Sequence, residues 1–171
     1  GFIVSDFINE ILQRIGVCEG FSQELVDAVN EFILKKSDPD KPQKFYVKGY
    51  GNIPIQKVIK PWKKSTCKEY RRYIFGLYRY CCDTKTKKIP RSQITLWTPK
   101  REDIENVPVR HTLKWWEPLQ SWLGYLYNRP DIPKSYKKEI LEILKNPPAL
   151  VKKGEGKKAV FLTPLELVRV E

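Results

Sequence analysis

The stretch "KEYRRYIFGLYRYCC", residues 68–82, sets five charged residues among seven aromatic or aliphatic ones around a single glycine. Either it is a surface whose arginines hold phosphates and whose tyrosines stack on bases, or it is an amphipathic helix with buried aromatics. Thr66 and Glu69 match the T-x-x-E capping box, so the spacing predicts a helix starting near Cys67. At about 100° per residue, Cys67, Tyr70, Ile74, Leu77 and Cys81 share one side, flanked by Tyr73 and Tyr80. An apolar stripe at helical period is a packed face, so these tyrosines are assigned to the core. The opposite stripe holds Lys68, Arg72, Phe75, Arg79 and Cys82, with Arg71 and Tyr78 beside it. No carboxylate is expected on that stripe.

The flanks share its charge. "KPWKK" (residues 60–64) precedes it, and "KTKK" (residues 85–88) with Arg91 follows it. The chain carries a net charge of +12, and almost all of the excess is central. Residues 1–43 hold four Lys/Arg against eight Asp/Glu, residues 44–101 hold sixteen against two, and residues 102–171 hold twelve against ten. Positive charge concentrated in this way predicts a polyanionic partner: RNA, DNA or an anionic membrane surface. The expected contacts are Lys63, Lys64, Lys68, Arg71, Arg72, Arg79, Lys85, Lys87, Lys88 and Arg91, with Trp62, Phe75 and Tyr78 as stacking residues. Nothing in the sequence reads as a groove-reading element, so low sequence specificity is expected.

Toward the N-terminus, "VSDFINEILQRIG" places Ile3, Phe7, Ile8, Ile11, Leu12 and Ile15 on one helical face. Ser5 is its expected N-cap and Gly16 its expected stop. Ser22 caps a second helix, whose stripe is Leu25, Ala28, Val29, Phe32 and Ile33. The short "GVCEGF" link predicts an acidic antiparallel helical hairpin, residues 1–36, suited to a protein partner or self-assembly. "SDPDKPQ" (residues 37–43) is a loop. "KFYVKGYGNIPIQKVIKPW" is β-like at Phe45, Val47, Ile53, Ile55 and Val58, interrupted by Gly49 and Gly51, with Pro54 marking an edge. A strand is expected near residues 92–97.

Toward the C-terminus, "TPKREDIENVPV" reads as a polar connector. A helix is expected from about Glu117, because Pro118 suits a first turn, with Leu119, Trp122, Leu123, Leu126 and Tyr127 buried. The next helix turns Tyr136, Ile140, Leu141 and Leu144 inward and ends at Pro147–Pro148. "ALVKKGEGKKAVFLTPLELVRV" predicts a β-hairpin turning at Gly154–Gly156. Its tip carries Lys152, Lys153, Lys157 and Lys158. Following two helices, this hairpin resembles the wing of a winged-helix domain, a resemblance covering residues 111–171 that implies contact with a DNA backbone.

The chain's 171 residues suffice for one compact domain, and 41% hydrophobic residues argue against global disorder. The expected class is α+β: mainly helical, with short antiparallel strands and hairpins. Its segments are 1–36, a basic 44–101 and 111–171. With no apolar run of about 18 residues, no transmembrane helix is expected. Nor does the start read as a secretory signal. Cys18, Cys67, Cys81 and Cys82 lack framework spacing, so reduced thiols in the cytoplasm or nucleus are expected. With His111 they form no metal-binding pattern, and no cofactor is expected. No nucleotide-binding or nucleophile motif occurs, and a nuclease would have to draw on Glu102, Asp103 and Glu105. The expected function is therefore non-enzymatic. The alternative rests on "GFIVS", which fits an acylation signal at Gly1. With a helical domain and a basic surface, that layout resembles a retroviral-type matrix protein, which implies a membrane-surface role in a virion.

Overall fold

The computed structural model describes residues 15–38, 43–83, 88–151 and 161–162. The expected first helix, Gly1, Lys85, Lys87, the 154–156 turn and its four lysines lie outside the described residues. Gly16 sits within a 3-10 turn, Ile15–Val17, and does not end a helix in the left-handed conformation. The positive φ falls instead at Gly20, +86°.

Ser22 opens helix α1 (Gln23–Ser37), its Oγ accepting the Leu25 N–H at 3.4 Å. That bond satisfies one of the orphan donors of the first turn. Leu25, Ala28, Val29, Phe32 and Ile33 are all buried, as their spacing predicts. The β-like stretch folds into one antiparallel hairpin, β1 (Gln43–Lys48) against β2 (Pro54–Ile59), with Lys48 opposite Pro54. Its glycines make the turn. A Cβ on Gly49 would run into Ile55 Cδ1 and the Ile53 carbonyl, and Gly51 has φ +67°. Pro54, which lacks an N–H, takes the first position of its strand.

Helix α2 (Lys64–Asp83) is the axis of the fold. It packs against α1, against the short α3 (Arg101–Asn106) and against α4 (Leu113–Tyr127); α5 (Lys134–Lys145) packs on α4. Since α2 has neighbours on more than one side, its buried arc is wide. Cys67, Tyr70, Arg71, Ile74, Phe75, Leu77, Tyr78, Cys81 and Cys82 are all buried. At about 100° per residue they fill about 160° of the wheel. The predicted stripe marks the centre of that arc but not its width. Phe75 stacks on Phe21, rings 6.0 Å apart. The Tyr78 hydroxyl donates to the Leu96 carbonyl at 2.6 Å and accepts the Trp122 indole N–H at 3.1 Å. Tyr73 and Tyr80, expected in the core, stand half-exposed at the other edge.

Four further features differ from expectation. Helix α2 starts at Lys64, so Thr66 and Glu69 lie inside it and form no capping box. Trp62 fixes the start: its N–H donates to the Lys36 carbonyl at 2.8 Å, and its ring meets Phe32 and Tyr70 edge-on. The expected 92–97 strand is a 3-10 turn, Arg91–Gln93, followed by extended and turn residues. Ile94 and Leu96 do bury alternately, but without a partner strand. Helix α4 starts at Leu113, because Thr112 Oγ1 accepts the Trp115 N–H at 3.3 Å; Pro118 is therefore in its second turn. In α5, Tyr136 and Ile140 are buried as predicted, but Leu141 is exposed and Ile143 is buried in its place.

After α5, β3 (Leu150–Val151) pairs antiparallel with β4 (Phe161–Leu162). The described residues thus form a mainly helical body with two separate two-stranded antiparallel sheets. The α+β expectation holds only loosely, because the described core is built mostly from helices.

Candidate nucleic-acid interface

The arc of α2 left uncovered is basic. On it Lys68 and Arg72 are exposed and Arg79 is half-exposed, while Lys64 is exposed as the first residue of the helix. Like charges on adjacent turns repel by a few tenths of a kcal/mol, a cost a solvated face tolerates. Lys60 and Lys63 on the approach to the helix, and Lys88 beyond it, are exposed too. Gly76 lies on the same arc, and a Cβ there would meet only the Arg79 guanidinium, at 3.7 Å.

One carboxylate also lies on the uncovered arc, about 60° round from Arg72. Glu69 Oε1 accepts the Tyr73 hydroxyl at 2.7 Å, and its Oε2 lies 3.2 Å from Lys114 Nζ on α4. The Tyr73 hydrogen bond, with Lys114 and Arg72 adding to it, holds the Glu69 carboxyl below its usual range. Arg72 lies 5.6 Å over the Tyr73 ring. The net charge of the arc stays strongly positive, because Lys114 already offsets Glu69.

Four expected contact residues are structural instead. Arg71 is only 2% exposed. Its Nε donates to Asn30 Oδ1 at 2.9 Å, its Nη2 lies 3.7 Å from Cys18 Sγ, and its guanidinium covers the Phe75 ring at 5.0 Å. It sits on the α1 side of the helix, where the wide buried arc captures it. Phe75 and Tyr78 are buried by the same packing and offer no stacking face. Arg91 is half-buried, donating to the Glu19 carbonyl at 2.9 Å and lying 5.4 Å over Phe21, so it clamps two loops together. Trp62 is half-exposed.

Other candidate chemistry is bound up in packing. All four cysteines are buried and none forms a disulfide, and burial pushes the Cys67 thiol up to about 12. Asp103 is buried and accepts the Lys100 N–H at 2.8 Å to open α3, while Glu105 pairs with Arg101 at 2.7 Å. His111 Nε2 lies 3.1 Å from the Ile104 carbonyl, with its ring edge-on to Trp115. Among the described residues, no group of three or more His, Cys, Asp or Glu could hold a metal ion. No described helix is long and apolar enough to cross a membrane.

Compared with protein-family models, with curated proteins and with solved structures, the chain shows no match. The geometry of its own residues therefore carries the functional argument.

Proposed function

We propose that this protein binds nucleic acid through its phosphates, with low sequence specificity and without catalysing a reaction. The observation that carries this reading is the uncovered arc of α2, where Lys68, Arg72 and Arg79 align, with Lys64 exposed at the helix start, and the nearby carboxylate, Glu69, is already paired. Lys60, Lys63 and Lys88 extend the positive surface beyond both helix ends. Cations spaced along a rigid helix bind by releasing counterions from a phosphate chain, which is insensitive to base identity.

The experiment is a charge reversal, Arg72→Glu with Arg79→Glu, read by binding to two unrelated oligonucleotides over a range of salt. Affinity should fall alike for both, and the slope of log K against log salt should flatten by about one for each lost contact. Unchanged affinity removes the site. Binding to anionic vesicles with none to nucleic acid replaces the reading with a membrane-surface role.

A further inference from the structure

An open cleft of about 390 Å³ lies between the C-terminal end of α1 and the C-terminal half of α4, floored by Phe32, Gly124 and Tyr125. It shares Lys35, Tyr125 and Asn128 with a second depression, which extends to Arg129 and Asp131. The half-exposed Tyr125 ring has Lys35 Nζ and the Arg129 guanidinium each 5.7 Å from its centre. Arg129 is held in place. Its Nε and Nη2 donate to the two Asp131 oxygens at 2.9 and 2.8 Å, and its Nη1 donates to the Tyr125 hydroxyl at 3.0 Å.

The cleft is joined to the basic arc of α2 by a run of rings. From Tyr73 the centroids step to Tyr70 (6.3 Å), Trp62 (4.9 Å), Phe32 (5.7 Å) and Tyr125 (5.3 Å). Tyr70 and Phe32 are buried residues, whereas Tyr73, Trp62 and Tyr125 are half-exposed. Half-exposed and buried aromatic residues therefore alternate. Each half-exposed one also has a cation within reach: Arg72 at Tyr73, Lys36 at Trp62 (5.8 Å), and Lys35 with Arg129 at Tyr125. Burial lowers the pKa of Lys36. Lys35 also lies 3.9 Å from Glu31, an exposed pair of little strength that a phosphate can displace.

We infer that this run of rings is a track for a single strand of nucleic acid. Bases stack on Tyr73, Trp62 and Tyr125, and phosphates meet Arg72, Lys36, Lys35 and Arg129. The inference rests on the nucleic-acid reading of α2 and narrows its substrate class. In a duplex the base faces are already stacked on one another, so separated aromatic platforms favour a single strand. Platforms of this kind accept any base, in keeping with low sequence specificity.

The test compares a short oligo(dT) with a duplex of equal length, by anisotropy, on the full chain. Oligo(dT) should bind more tightly. Tyr125→Leu, which keeps an apolar contact with Phe32, should weaken it by about 5- to 100-fold, and Tyr125→Phe should retain binding. Ultraviolet crosslinking of the unmodified protein should map oligo(dT) to Tyr125 or Trp62, which decides the matter even if Tyr125→Leu melts early. Equal affinity for both forms, or crosslinks confined to other segments, overturns the track. If Arg72→Glu with Arg79→Glu still abolishes binding in that case, the basic arc stands without it. An unmodified protein that binds neither oligo(dT) nor duplex overturns both.

Discussion

Arg71 and Arg72 are adjacent in sequence and lie on opposite sides of one boundary. Arg71 points toward α1, where Asn30, Cys18 and the Phe75 ring surround its guanidinium. Arg72, about 100° further round, lies in solvent over Tyr73. The buried side of α2 turns a cation into a packing element and lowers its pKa by desolvation. The exposed side leaves the cation free to meet a partner's charge. A basic residue on a helix is thus functional or structural according to which neighbour covers it, and composition alone does not tell them apart.

The sharpest way to break this contrast is to replace each arginine by methionine. Arg71→Met should cost about 1–3 kcal/mol in equilibrium denaturation, because Asn30 loses a buried partner, while nucleic-acid affinity corrected for folded fraction stays the same. Arg72→Met should leave stability within about 0.5 kcal/mol and flatten the salt slope of binding. If the two phenotypes trade places, the assignment of faces is wrong.

A smaller effect is expected at Gly76. Alanine has room there, since its Cβ would meet only the Arg79 guanidinium at 3.7 Å, so Gly76→Ala should stabilise α2 by about 0.5–1 kcal/mol. A loss of stability on thermal melting would mean that another part of the chain covers this arc.

The smallest effect concerns pH. The folded state holds the Glu69 carboxyl below its unfolded pKa, chiefly through the Tyr73 hydroxyl. Its contribution is therefore present above the unfolded pKa and lost as pH falls through the lower folded value. Glu69 is partly solvated, so the contribution is slight. Melting curves across the acid range should show a shallower decline in Glu69→Gln than in the unmodified protein; identical slopes would remove the Tyr73–Glu69–Lys114 linkage from the edge of the arc.

Much of this layout is legible in periodicity. The five apolar positions of α1 and the centre of α2's packed face follow from spacing alone, because one covered side imposes a 3.6-residue repeat. The width of the α2 arc does not, since it depends on how many elements surround the helix. That is why Phe75 and Tyr78 were expected outside and lie inside. Pro118 suggested a late start for α4, but the Thr112 cap and the buried tryptophans of its first turn outweigh one missing hydrogen bond. A strand was expected near residues 92–97; Ile94 and Leu96 are buried there, but burial repeats every two residues in any extended segment, and only a partner makes a ladder.

The candidate site was legible in part for the same reason. Lys63, Lys64, Lys68, Arg72, Arg79 and Lys88 reach the surface as their charge predicts. Lys35, Lys36, Tyr125 and Arg129 carried no local signal, because about ninety residues of chain separate the two halves of their cleft. Lys35 and Lys36 in isolation are ordinary cations in a helix's last turn.

The sequence by itself determined that the positive charge is central, that helices dominate, and where most of their apolar stripes run, because these properties depend on residue order over a few turns. Only the tertiary structure decided which cations and rings stay in reach of solvent, because burial is set by the neighbours that pack around a helix, and those come from distant parts of the chain.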